Sequence, residues 1–264
     1  MEDNRVMNVA VCVKQIPDPA SPGHLDPNTH TLVRDGKLIL DDSDAYGVEM
    51  ALQLIDKAGG GEVTLVSMAP NNEVSGLRTA LAMGAHKAIL ISDDILKGSD
   101  ALATAKVLAA AIRRAQPDLV LAATESTDGY TGTLPVQVAE LLGLPSITFA
   151  KHVEIADGKV KVNRQTEAGY DEVECDLPAV VTGTAGVVEP RYPSFKGIIA
   201  AKGKPVDQLT IADLGIPADQ VGTSVGEEVV SVEAAEERKA GEIVVDEGDG
   251  HEKIVAFLEQ LKVI

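Results

Sequence analysis

Short apolar, β-branched runs alternate with helix-length amphipathic stretches through the first half of this chain, and that alternation restricts the fold more than any other feature. Residues 8–14 (NVAVCVK) are apolar and followed by turn residues, as in a strand buried on both faces. A looser segment comes next, QIPDPASPGHLDPN and then HTLVRDGKLIL, where Asp35-Gly36 between two alternating runs predicts a hairpin. Residues 43–58 read as a helix, with Val48, Ala51, Leu52 and Ile55 on one face and Gly59 as its stop. The pattern then repeats: strand 62–68, helix 72–83 ending at Gly84, strand 87–91, a helix capped by Ser99 or Asp100 and running to about residue 114, strand 117–123, helix 131–142. Strands and helices in turn, joined by short links, predict a parallel sheet with helices on both faces.

After Pro145 the period changes. Residues 146–155, 159–167 and 170–176 alternate polar and apolar and are separated by ADG and AG, so they read as antiparallel hairpins. Residues 177–184 return to the buried-strand pattern. The fold class is α/β: an open, mostly parallel sheet with an antiparallel hairpin extension and a C-terminal arm. From residue 207 dense apolar periodicity is lost. One short turn at 210–215, an acidic stretch at 218–249 and a helix-like run at 250–264 with Ile254, Val255, Phe257, Leu258 and Leu261 complete the chain. Two domains are expected: a core at 1–206, including segment 189–204, and an arm at 207–264. The arm either folds back or embraces a neighbouring subunit, because its apolar stripe is poorly soluble undocked.

Lys and Arg total 23 against 41 Asp and Glu, a net charge of −18. That balance argues against nucleic acid, whose phosphates need a basic footprint, and against an anionic membrane surface. No apolar run reaches the roughly 18 residues of a membrane span, so direct membrane insertion is not expected. The N-terminus, MEDNRVMNVAV, reads as neither a secretory signal nor a transit peptide. Cys12 and Cys175 lie far apart, outside any CxxC motif. A cytoplasmic chain with reduced thiols is expected.

Open parallel sheets bind ligands beyond the carboxyl ends of their strands, which directs attention to the stretch after residue 123, TESTDGYTGTL. Its Thr124, Glu125, Ser126, Thr127, Asp128, Gly129, Thr131, Gly132, Thr133 and Leu134 bring hydroxyls, two glycines and free N–H groups to a helix start. That composition suits a phosphate, and it equally suits an ordinary capped loop. Asp41, Asp42 and Asp44 cluster before a helix, where N-terminal capping is the simpler role. Cys12 either faces a nucleotide or packs, and Lys14 either neutralises a phosphate or points to water. There is no GxxxxGK[ST] loop, no GxGxxG after the first strand, no GxSxG elbow and no metal-spaced Cys or His. His24, His30, His86, His152 and His251 are scattered. No catalytic constellation emerges, which favours binding or carrying over turnover.

Segment 189–204, EPRYPSFKGIIAAKGK, follows a buried strand yet keeps presenting apolar groups. Pro190 and Pro193 restrict the backbone around Arg191 and Tyr192. Phe195, Ile198 and Ile199 sit beside Lys196, Lys202 and Lys204. With four tyrosines, three phenylalanines and no tryptophan in the chain, a phenylalanine here is either folded back onto the core or built to insert into a partner.

Several stretches together resemble electron transfer flavoprotein (ETF) beta subunits, and the likeness covers nearly the whole chain. They are VAVCVKQIPD, the LVRDG stretch, LRTALAMGAHKAI, the Asp128-Gly129 loop, LPAVVTGTAGVVEPRYPSFKGIIAAKGKPV, and RKAGEIVVDEGDG with the run after it. LRTALAMGA is weakly specific alone and strong beside EPRYPSF. The resemblance implies an adenine-nucleotide alpha-hydrolase-like fold and a heterodimer with an alpha subunit that holds most of the FAD contacts. It implies a buried AMP touched by Cys12, Asp41, Asp42, Ser43, Asp44, Met68, Ala123 and the 124–134 loop, with Asp128 at a family acidic position. The commoner form of that loop has Asp and Gln-Thr-Gly where this chain reads YTGTLP. Some members place aromatics where this chain has Pro19 and Ser43. Arg191, Tyr192, Phe195, Ile198 and Ile199 correspond to the loop that docks acyl-CoA and related flavin dehydrogenases, Phe195 at its tip. Electrons would pass through FAD toward an ETF:quinone oxidoreductase, as in fatty acid beta-oxidation.

Three other readings share parts of this pattern. A bifurcating beta subunit would hold a second FAD and use NADH. A universal-stress-type adenine-nucleotide protein would not need the EPRYPSF arm. An ATP-cleaving enzyme would need an SGGxDS-like motif, which the chain lacks.

Overall fold

Valine, leucine and isoleucine runs too short for helices become the strands, and the amphipathic stretches between them become the covering helices. In chain order the computed structural model gives β1 Met7–Cys12, β2 Gln15–Pro17, β3 Leu38–Leu40, α1 Asp42–Lys57, β4 Gly61–Met68, α2 Ser75–Met83, β5 Lys87–Ile91, α3 Ala101–Ala115 and β6 Leu119–Ala123. There follow α4 Leu134–Leu142, β7 Ser146–Ala156, β8 Lys159–Thr166, β9 Gly169–Asp176, β10 Ala179–Gly183, α5 Phe195–Ala201, β11 Val206–Leu209, α6 Ile211–Leu214 and α7 Gly250–Gln260. The structure describes residues 6–21, 23–224, 226–227, 229–233, 241 and 243–264. The first five residues of the expected N-terminal pattern, and parts of the acidic tail and of RKAGEIVVDEGDG, lie outside them.

One nine-stranded sheet has the order β11-β5-β4-β1-β6-β10-β7-β8-β9. Pairings from β11 through β7 are parallel, and those of β7 with β8 and β8 with β9 are antiparallel. The expected α/β class with an antiparallel extension is what forms. Alternate residues of β1 feed opposite cores. Val9 and Val11 pack with α1 and α2, while Ala10 and Cys12 pack with α3 and α4. From β1 the chain moves outward to β4, and from β6 it moves the other way. The carboxyl ends of β1 and β6 therefore flank the topological switch point.

Five sequence expectations need correction. Asp35-Gly36 does not turn a hairpin between its flanking runs; β3 instead pairs antiparallel with β2, because Leu38 and Leu40 are drawn into the core. Helix 72–83 begins later, at Ser75, after a 3-10 turn at Pro70–Asn72 in which Asn71 and Asn72 take left-handed conformations. Its first N–H, that of Ser75, donates to Glu73 Oε1 at 2.7 Å, and the next two, of Gly76 and Leu77, donate to the buried Gln15 Oε1. Helix 131–142 begins at Leu134, since Tyr130 and Gly132 lie at positive φ and Pro135 sets the first turn. Segment 189–204 holds a helix, α5, capped by the Ser194 hydroxyl on Gly197 N–H. The boundary expected at 206/207 falls inside a strand: β11 pairs with β5, and the compact units are Met1–Val229 and Val230–Ile264. The second unit, taken by itself, carries α7 with Ile254, Phe257 and Leu261 exposed. Among the described residues no helix is long and apolar enough to cross a membrane.

Candidate functional site

Charged side chains gather where β1 and β6 end. Asp41 has no exposed surface. As N-cap of α1 it accepts from Ser43 N–H at 3.0 Å through Oδ1, and its Oδ2 accepts from Thr127 N–H at 2.8 Å. One carboxylate thus ties the start of α1 to the loop after β6. Asp44, one turn along, accepts from Lys14 N–H at 2.6 Å. The capping role read from the sequence holds for Asp41. Asp42 is exposed and Ser43 half-buried.

Above this scaffold the Lys14 ammonium donates to Ser126 Oγ at 3.1 Å and pairs with Asp128 Oδ1 at 2.6 Å. The Arg34 guanidinium pairs with the other oxygen of Asp128. Burial alone would raise the Asp128 carboxyl, but hydrogen bonding to Lys14 and the charges of Lys14 and Arg34 outweigh it and hold it below the usual range. Two cations thus converge on one carboxylate at the mouth of the switch point. Thr133 gives α4 no side-chain cap, so first-turn N–H groups of α4 face the same loop without one.

Of the residues expected at the site, Asp41, Asp44, Ser126, Thr127 and Asp128 meet in this hydrogen-bonded cluster. Ala123 ends β6 beside it, and Met68 ends β4. Thr124 turns to Gly183 O at 3.3 Å. Glu125, Gly129, Thr131 and Thr133 are exposed, Gly132 is half-buried, and half-buried Leu134 packs on the α3–α4 core. Cys12 packs into that same core, and burial, then the nearby Asp44 charge, pushes its thiol up to about 12. Arg34 was missed. It lies in the LVRDG stretch that carries the resemblance, but no local pattern fixes the path of that loop.

Burial, opposed by the Lys14 hydrogen bond and aided by Asp41, raises the Asp44 carboxyl to about 8. The folded state therefore keeps a proton that the unfolded chain has lost. Its contribution is fully present below about pH 4 and lost as pH rises toward 8. Asp44→Asn is expected to remove that slope. Its urea midpoint should gain on the parent's between pH 5 and 9, and a constant gap would refute the assignment.

A second feature lies on another part of the surface. Tyr192 is 93 % exposed and Phe195 80 %, which excludes the reading of Phe195 as folded back. Ile198 and Ile199 are exposed beside it on α5. Arg191 does not join this face. Its Nε donates to Glu49 Oε2 at 2.6 Å, so it anchors the segment.

Residues 29–214 match the family described as electron transfer flavoprotein domain. The chain is 40 % identical over 264 residues to the electron transfer flavoprotein subunit beta of Mycobacterium tuberculosis, covering 97 % of this chain and 99 % of that one. It is 39 % identical, with the same coverage, to the protein of that name from Mycobacterium leprae. It is 38 % identical over 218 residues to the caffeyl-CoA reductase-Etf complex subunit CarD of Acetobacterium woodii, covering 82 % of this chain and 83 % of that one.

Proposed function

The chain belongs to the electron transfer flavoprotein family as a beta subunit, and from that premise we propose that it holds an AMP at the switch point and docks flavin dehydrogenases through α5. The observation that carries the docking half is an exposed aromatic and aliphatic face, Tyr192, Phe195, Ile198 and Ile199, in a chain with so few aromatics. Acyl-CoA and related dehydrogenases are the donors. An alpha subunit is the permanent partner, an ETF:quinone oxidoreductase the acceptor, and the cytoplasm the compartment. FAD bound mainly by the alpha subunit supplies the redox chemistry, and this chain contributes platform and dock without a catalytic residue. The second unit, with its exposed apolar stripe, serves as the arm that embraces the alpha subunit.

The switch-point residues fit an adenine nucleotide's phosphate. Lys14 and Arg34 provide two positive charges, the 124–134 loop provides hydroxyls, and α4 offers uncapped N–H groups. A phosphate there takes over the cations that Asp128 now holds, while Asp41 and Asp44 shape the floor. Cys12 and Met68, at the ends of β1 and β4, border the nucleotide.

A second reading places FAD rather than AMP in this chain, as in a bifurcating complex. The similarity to a subunit of a caffeyl-CoA reductase-Etf complex favours it. Co-expression with the alpha subunit, purification and quantification of released nucleotides separates the two. One FAD and one AMP per heterodimer is the expected result, and two FAD without AMP would replace it with the second reading. A lone stable chain indifferent to the alpha subunit would overturn both.

A further inference from the structure

The segment that carries Phe195 is fastened at both ends by charged side chains reaching across from the core. At its start, Glu49 on α1 is buried and receives Arg191 through Nε at 2.6 Å, NH2 at 3.1 Å and the backbone N–H at 3.3 Å. Gln53 also donates to Glu49, at 2.8 Å. At its end, two long cations exchange helix caps. Arg78 on α2 donates to Ala201 O at 2.6 Å and Lys204 O at 2.9 Å, while Lys204 donates to Leu81 O at 2.8 Å and Ala85 O at 2.6 Å. Arg78 thus reaches carbonyls at and just past the end of α5, and Lys204, just past α5, reaches carbonyls at and just past the end of α2. Between the two ends Gly197 lies so close to α2 that a Cβ would overlap the Ala82 carbonyl oxygen. Ala201 is buried in the core.

A seven-residue helix has no stability of its own. Left untied, one bearing Phe195 and two isoleucines would sample many orientations or collapse onto the nearest apolar surface. Lysine on carbonyls and a buried carboxylate on arginine are costly to install, because each ion loses hydration. Such groups specify one geometry better than they add stability.

We infer that Glu49, Arg78 and Lys204 are positioning residues that hold α5 in one orientation, so that a partner meets a preorganised tip. The inference rests on the docking reading above and adds residues that lie outside the exposed apolar face. Preorganisation lowers the ordering cost of association. Its loss therefore weakens docking without altering the electron-transfer step.

The test uses the complex of this chain with its alpha subunit. A nitroxide is placed at Lys196→Cys in a Cys175→Ser background, and an acyl-CoA dehydrogenase serves as the electron donor. In the parent the nitroxide spectrum is expected to be that of a single ordered site. Lys204→Met and Glu49→Gln should each add a mobile component. In unlabelled complexes they should raise the KM for the flavoprotein about three- to tenfold at unchanged kcat. Lys204→Arg, which can still cap, should restore both readouts. An unchanged spectrum in both variants overturns the inference. So does an unchanged KM in both when Phe195→Ala raises it. If instead Phe195→Ala leaves KM unaltered while Lys204→Met loosens the spectrum, the docking reading falls and the fixed orientation of α5 stands.

Discussion

Replacing Phe195 by alanine is expected to raise the KM of an acyl-CoA dehydrogenase for the assembled flavoprotein by roughly 10- to 150-fold. The size follows from burying one phenylalanine, about 1.5–3 kcal/mol, at about 1.4 kcal/mol per decade of affinity. The side chain is 80 % exposed, so nearly all of that area is available to a partner. Phe195 is also the first residue of α5, whose cap comes from Ser194. Alanine suits a helix, so the fold and the Arg191–Glu49 anchor should be untouched. Nucleotide content should match the parent, because the switch-point cluster draws on other residues entirely. Steady-state kinetics with the complex as varied substrate reads the effect. An unchanged KM would remove Phe195 from the dock, and a changed nucleotide content would mean the substitution disturbs more than a surface.

The parts of this fold legible in the sequence are those decided locally. The buried strands gave themselves away by composition, and Lys87–Ile91 has the expected limits because both its flanks carry turn residues. Asp100 could be read as a cap because capping depends on the neighbouring backbone alone. The failures share a different cause. Asp35-Gly36 has the chemistry of a hairpin turn, but Leu38 and Leu40 gain more from the core beside Gln15 than from pairing with the preceding run. The start of α2 is held by neighbouring Glu73 and also by Gln15, about 60 positions away in the chain, whose amide oxygen takes the next two N–H groups. The same limit applied to the site. Asp41 before a helix is a legible cap, whereas its second bond to Thr127 depends on β1 and β6 lying side by side. Arg34 joins Asp128 only because a long loop returns over the switch point. Phe195 stood out by rarity, yet nothing local foretold the buried glutamate and exchanged caps beneath it.

Asp41 is the residue whose loss should be felt most widely. Its carboxylate is fully buried and accepts two backbone N–H groups from segments that otherwise have no reason to meet. Alanine would leave the N–H of Ser43 and of Thr127 without those acceptors. The bond from Thr127 to a charged acceptor is worth about 1.5–3 kcal/mol, and loss of the N-cap bond to Ser43 costs about 0.5–2 kcal/mol. Relief from burying a charge offsets part of this. A net loss of roughly 3 kcal/mol is expected, large against a total stability of about 5–15 kcal/mol. The loop after β6 should loosen with it, so AMP recovered with the complex should fall while FAD in the alpha subunit is retained. Asp41→Asn keeps one acceptor oxygen and turns an amide toward the other donor. It should therefore fall between alanine and the parent, because one of the two bonds survives. Asp42→Ala, one position on and exposed, should change the urea midpoint little. That ordering checks the assignment. Equal effects at 41 and 42 would mean that charge near the helix start matters and the bridge to Thr127 does not.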